Sequence, residues 1–174
     1  MRKLMIGFIL FVTAGIVATC MITADERPDT DKFKEGMTFA RFDTYTDPDF
    51  GYTFEYPSFF TKDEIEDYGC GHVQFAYHGY TDIVLECNVV AEDKYHRKKS
   101  DFIDKGTVDD IEGYCYYSHF IRYNHCWYIL TLYYPKEFSE AVKQIRYKVR
   151  TWNTVFNGRD AVFQKVSKEI GGTK

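Results

Sequence analysis

Hydrophobic and polar positions follow several different rhythms along this chain. Residues 4–18 are almost wholly apolar, preceded by Arg2 and Lys3 and with no acidic residue before Asp25. Residues 21–37 are polar and without period. "TFARFDTYT" (38–46) can form a strand, and "DPD" (47–49) turns the chain. Phe50, Tyr52, Phe54 and Tyr56 then fall on every second position, which predicts a strand with an aromatic face, stopped by Pro57. Thr61 to Glu64 matches a capping box, which predicts a short helix to about Tyr68. "HVQFAYHGYTDIVLECNVV" reads as a hairpin around Gly79, and "YCYYSHFIRYNHCWYILTLYY" as a second one turning near Tyr123 and Asn124. Between them "DKYHRKKSDF" is polar, helical or irregular, and "GTVDDIEG" is a short strand or turn.

After Pro135, placed as at the first turn of a helix, the rhythm changes again. Phe138, Val142, Ile145, Val149, Trp152 and Phe156 recur at spacings of four and three, the apolar stripe of an amphipathic helix that Asn157-Gly158 would end. Val162, Phe163, Val166 and Ile170 suggest a last, shorter helix. Clustered strands with segregated helices predict an α+β fold, an antiparallel β-sheet flanked by helices that include one long C-terminal amphipathic helix.

The apolar opening has the positive head, greasy body and small closing residues of a secretory signal peptide. A buried core helix fits poorly, because the run has no polar face. The residues "VATC" (17–20) resemble a bacterial lipobox, so the expected product is cut before Cys20, whose thiol takes the lipid. Cleavage after Ala24, giving a soluble secreted protein, and retention of about 20 residues as an uncut membrane anchor are the alternatives. The expected organisation is therefore a signal peptide at 1–19, a lipid-anchor cysteine and tether at 20–37, and a single α+β domain at 38–174.

Five cysteines sharpen this picture. Using Cys20 as anchor leaves Cys70, Cys87, Cys115 and Cys126, an even set suited to disulfides in an oxidising compartment. If the second hairpin turns where expected, Cys115 and Cys126 are offset by roughly 15 Å at strand rise, beyond the ~7 Å reach of a bridge. Complete pairing then requires 70–115 with 87–126, or 70–126 with 87–115; a single 70–87 bridge and buried free thiols also remain open.

Without its leader the chain keeps 20 basic against 26 acidic residues, a net charge of −6. That balance argues against nucleic acid, whose phosphates call for a basic face. Aromatic residues make up 18% of the chain, mostly Tyr and Phe, which suits strands. The second hairpin carries aromatics on both faces, so one face can pack on the helix stripe. The other is either covered by further helices, the preferred expectation, or exposed as a contact platform.

The stretches "FGYTFEYPSFF" and "RYNHCWYILTLYYP", the latter leading into the amphipathic stripe, resemble the opening and closing of the PsbP-like superfamily over roughly residues 40–156. The resemblance implies a central antiparallel sheet flanked by helices, and an accessory or binding protein of the envelope-lipoprotein branch rather than an enzyme. It carries no site residues.

Catalytic and metal chemistry find little support in the spacing. No G-x-S-x-G surrounds Ser58 or Ser118. Cys70 and His72 with His125 and Cys126 do not follow zinc spacing, and no metal or cofactor is expected. A cysteine nucleophile paired with His119 or His125 is the one thiol-enzyme alternative. Asp101, Asp104, Asp109, Asp110 and Glu112 miss the calcium-loop spacing and read as a solvated turn. Lys94, Arg97, Lys98 and Lys99 read as a solvated basic face, with contact to anionic headgroups as the alternative. The expected function is a non-catalytic cell-envelope lipoprotein, held at a membrane facing the periplasm or exterior, that binds or assists another envelope protein. The alternative is a secreted or soluble periplasmic module that binds a glycan or small ligand through exposed aromatics.

Overall fold

A computed structural model describes residues 27–64, 71–79 and 81–154. The leader, Cys20, Cys70, and the stretch containing Phe156 and the expected last helix lie outside the described residues.

The described residues are mainly β. Helix α1 (Asp29–Phe39) precedes strands β1 (Phe42–Thr46), β2 (Thr53–Pro57), β3 (Thr61–Asp63), β4 (Val73–His78), β5 (Asp82–Ala91), β6 (Asp101–Thr107), β7 (Tyr114–Tyr123) and β8 (Cys126–Pro135), and helix α2 (Lys143–Arg150) follows. Strands β1 and β2 form a two-stranded antiparallel sheet. The other six form an antiparallel sheet in the order β3-β4-β5-β8-β7-β6. The expected α+β fold led by a long C-terminal helix is thus overturned: eight strands in two sheets carry the architecture, and both described α-helices are short.

The stripe itself is real. Phe138, Val142, Ile145, Val149 and Trp152 are all buried in the main core. They arrive there by a 3₁₀ turn at Lys136–Phe138 and then the eight residues of α2, while Pro135 closes β8 in an extended conformation. A 3₁₀ turn and an α turn differ by less than one residue per repeat, so spacings of three and four cannot tell a continuous helix from this mixture. The helix ends because its exit is tied to β2. The Trp152 indole donates to the Thr53 carbonyl at 2.6 Å, and the Thr53 N–H donates to Thr154 Oγ1 at 2.9 Å.

Helix α1 begins inside the stretch that reads as tether. Asp29 and Asp31 sit in its first turn, where carboxylates meet the positive end of the helix. Phe33 and Met37, four residues apart on one side, are buried. Two apolar residues in eleven are too few for a periodicity signal, yet Phe33 makes edge-on contacts with Phe59, Tyr77 and Phe138.

Thr61–Asp63 is a strand rather than the start of a helix. Thr61 faces Ala76 across the ladder, and Asp63 accepts a 2.8 Å hydrogen bond from Gln74 Nε2. Pairing with β4 outweighs the local capping signal. Both long hairpins form as expected, with His78 opposite Asp82 and Tyr123 opposite Cys126.

The core lies on one face of the six-stranded sheet. Val73, Phe75, Ile83, Leu85, Cys87, Tyr128, Leu130, Leu132 and Tyr134 pack there against Tyr52 and Phe54, α1 and the α2 stripe. Full burial of one such side chain contributes roughly 1.5–3 kcal/mol, so this layer dominates stability.

Candidate functional site

The opposite face of the large sheet carries no helix among the described residues. Alternation along each strand fixes what it displays. Asp63, Gln74, Glu86, Thr131, Ser118 and Asp104, one from each strand, stand opposite one another in register across the sheet. The next row toward the β4–β5 turn is Thr61, Ala76, Val84, Tyr133, Tyr116 and Gly106. Glu86, at the centre, accepts a 3.2 Å hydrogen bond from the Tyr133 hydroxyl on one carboxylate oxygen and meets His72 Nε2 at 3.3 Å on the other. Burial, then the Glu86 charge, raises the Tyr133 phenol well above its ordinary range. Ser118 and Thr131 bond to each other at 2.9 Å and are buried beneath their neighbours.

Tyr116 lies over the edge strand at Gly106, where a Cβ would stand 3.0 Å from the ring. A side chain at 106 would require the ring to shift by a few tenths of an ångström. Beyond this row, the Tyr114 hydroxyl donates to the Asp82 carbonyl at 3.1 Å. Tyr114, Tyr116, Tyr133, Glu86, Asn88 and Val84 are all half-buried, while Ala76, Ser118, Ile129 and Thr131 of the same face are buried. The preferred expectation of helices over both faces is therefore not met among the described residues, and the alternative platform of exposed Tyr and Trp is not what this face shows either, because its tyrosines are half-buried and Trp127 is fully buried.

The face is dry at one end only. Trp127, Phe120 and Ile129, with Val90 and Phe102, form a second apolar cluster. The loop after β5 roofs it: the Trp127 indole donates to the carbonyls of Glu92 and Tyr95, and Arg97 stands 5.6 Å above the Phe102 ring. A cleft of about 500 Å³ lined by Glu92, Tyr95, His96, Arg97, Lys98 and Arg122 opens beside it. Within the basic run, Arg97 is thus drawn onto an apolar cluster, and Arg122, which the sequence did not single out, pairs with Glu92 at 2.9 Å.

The cysteines are dispersed. Cys87, Cys115 and Cys126 are free thiols. Cys126 faces Ala91 while Cys87 faces Leu130, an offset of four residues, about 13 Å at strand rise. Cys115 faces Tyr134, at the far end of β7 from Cys126. The described thiols therefore form none of the 87–126, 87–115 and 115–126 bridges. The 70–87 alternative involves a residue outside the described ones. Burial pushes the Cys87 and Cys126 thiols up, away from the thiolate that a nucleophile needs.

Among the described residues His72, His78, His119 and His125 meet carboxylates and a carbonyl. His119 is buried between the Val149 carbonyl and Asp101, His125 stands beside Glu92 at 3.2 Å, and His72 beside Glu86. His72 and His125 belong to different hairpins and each meets a carboxylate, Glu86 and Glu92 respectively; Cys70 lies outside the described residues. Of the acids read as a solvated turn, Asp101 and Asp104 are in β6, and Asp101 reaches His119. The open face as a unit was missed by spacing arguments. Its only sequence signal is the polar half of each hairpin's alternation, which becomes a surface once the strand order is known. No protein-family model and no curated protein matches the chain.

Proposed function

We propose that this chain is the globular part of a lipid-anchored cell-envelope protein, non-catalytic, that binds or assists another envelope protein through the open face of its six-stranded sheet. The observation that carries the reading is that face: half-buried tyrosines and carboxylates in register, with no helix over them among the described residues. Half-buried Tyr gives contact area at small entropic cost, and a rigid sheet holds it in place. The lipobox-like "VATC" and the PsbP-like stretches supply the address and the accessory role.

The test is copurification of the tagged full chain from detergent-extracted membranes. A partner should come down with the wild type and with Tyr147→Ala, which alters an exposed residue of α2, and be lost with Tyr116→Ala or Asp104→Lys. Intact mass of the same material reports the address, since an acylated form beginning at Cys20 differs from an Ala24-cut or uncut chain. A partnerless monomer with measurable turnover overturns the reading.

A second reading, a secreted glycan- or small-ligand-binding module, is favoured by the company of Tyr116 and Tyr133 with Asp104 and Glu86. A glycan array with thermal-shift confirmation separates the two, because a true ligand raises Tm by mass action.

A further inference from the structure

Positive charge collects at one end of the large sheet, in a chain whose 26 acidic residues outnumber its 22 basic ones. The loop between β5 and β6 carries Lys94, Arg97, Lys98 and Lys99, and Arg122 joins them from β7. These five cations face two neighbouring carboxylates, Glu92 and Asp93. Backbone hydrogen bonds pin the loop to the sheet. The Glu92 N–H donates to the His125 carbonyl at 3.0 Å, the Arg97 N–H to the Tyr95 carbonyl at 3.0 Å, and the Arg122 N–H to the Ser100 carbonyl at 2.6 Å.

Two guanidinium groups line the cleft beside this loop, and each lies on an aromatic ring. Arg97 stands 5.6 Å from the Phe102 centroid and Arg122 5.5 Å from that of Trp127, while the two rings meet edge to face at 5.6 Å. Stacking orients a guanidinium plane and leaves its N–H edge available. Arg122 gives one N–H to Glu92 at 2.9 Å. Among the described residues, the Arg97 side chain meets no hydrogen-bond acceptor and Lys98 meets no carboxylate. Glu92 is committed on both oxygens, one to Arg122 and the other at 3.2 Å from His125 Nδ1. Asp93 alone of the cleft's carboxylates is left to oppose Arg97 and Lys98.

We propose that this cleft is an anion site for a phosphate-bearing molecule, either free or as a lipid headgroup, held by the guanidinium groups of Arg97 and Arg122 with Lys98 adding charge.

The planar fork of a guanidinium pairs two phosphate oxygens at once, and two forks in one cleft suit a multiply charged anion. The volume of about 500 Å³ is that of a small-molecule site and exceeds what a bare phosphate fills. Tyr95 supplies a wall for the rest of the ligand: its ring leans edge-on against Phe120 at 5.3 Å and remains 39% exposed. Arg122 lies six residues along β7 from Tyr116, about 20 Å at strand rise. The anion site therefore stands apart from the tyrosine surface and does not depend on what that surface binds.

The experiment titrates the detergent-solubilised, ¹⁵N-labelled full chain with inorganic pyrophosphate at fixed ionic strength. A second arm adds phosphatidylglycerol to neutral micelles, with phosphatidylcholine as the control. Amide signals of residues 92–99 and the Nε–H signals of Arg97 and Arg122 should shift saturably in at least one arm. A response to pyrophosphate alone identifies a soluble ligand, and a response to phosphatidylglycerol alone a headgroup. Arg97→Lys and Arg122→Lys keep the charge but lose the fork, and each should weaken binding about tenfold, as for one lost charge-assisted hydrogen bond. Lys34→Gln removes an exposed charge on α1 and should leave the affinity unchanged. Because Arg97 makes no side-chain hydrogen bond within the fold, R97K keeps the test decisive even if R122K unfolds. No saturable shift in either arm, equal affinity for wild type and R97K, or an equal loss with K34Q would overturn the proposal.

Discussion

His78 stands at the turn end of the β4–β5 hairpin with a carboxylate against each ring nitrogen, Asp63 Oδ1 at 2.9 Å and Asp82 Oδ1 at 3.1 Å. The hydrogen bond to Asp63, then that to Asp82, raises its pKa above the ordinary histidine value. A raised value means that the charged contacts stabilise the fold fully below the unfolded histidine's pKa, and that this contribution is lost as pH climbs through the folded value. About half of the side chain is exposed, so solvent screening keeps the contribution small. An NMR titration should place the His78 midpoint above that of an unstructured peptide, with Asp63→Asn lowering it more than Asp82→Asn and high salt narrowing the gap. A midpoint at or below the peptide's would contradict the geometry. Asp82 follows from the expected hairpin around Gly79, but Asp63 is not legible as a partner in the sequence: it is fifteen residues away, on a strand that reads as a helix start, and the pairing exists only because β3 docks on β4. The same holds for His119 and Asp101, which sequence reasoning placed in a thiol-enzyme alternative and a solvated turn.

Elements were legible where one signal decided them. The two long hairpins carry alternation on both arms, and period two admits little else. The β7–β8 turn needs two residues at positive φ, and the chain supplies Asn124 at 50° and His125 at 62°. Asn tolerates this region, but histidine adopts it only at a cost. His125→Gly should raise stability by about 0.5–1 kcal/mol, read as a higher urea midpoint with unchanged m; a lower midpoint would mean that the His125–Glu92 contact outweighs the strain. The stripe after Pro135 was legible as a face but not as a helix, because what ends α2 is the tie from Trp152 and Thr154 to Thr53, about a hundred residues away. Its energetics follow burial rather than helix length. Ile145→Ala, at a fully buried position, should cost about 3 kcal/mol, while Tyr147→Ala on the exposed side should stay within about 0.5 kcal/mol. Equal losses would show that α2 is not held by its stripe.

At the scale of the molecule, the described chain puts its larger aromatic core on one side of the large sheet and leaves the other to polar rows, tyrosines and a smaller cluster of Trp127, Phe120 and Phe102. Composition alone could not reveal that asymmetry. The 18% aromatic share serves equally for two covered faces, and the strand order 3-4-5-8-7-6 is what collects Asp63, Glu86 and Asp104 onto one surface. A tether ending at residue 37 also concealed α1, whose Phe33 completes the core that keeps the opposite face outward. If that outward face is the working surface, contact with a partner must map to it. The direct measurement places a photo-crosslinking residue at position 116, and separately at 147 on α2, in the full chain within native membranes. A discrete protein adduct is expected from 116 and none from 147; an adduct from 147 with none from 116 would show that the working surface lies elsewhere.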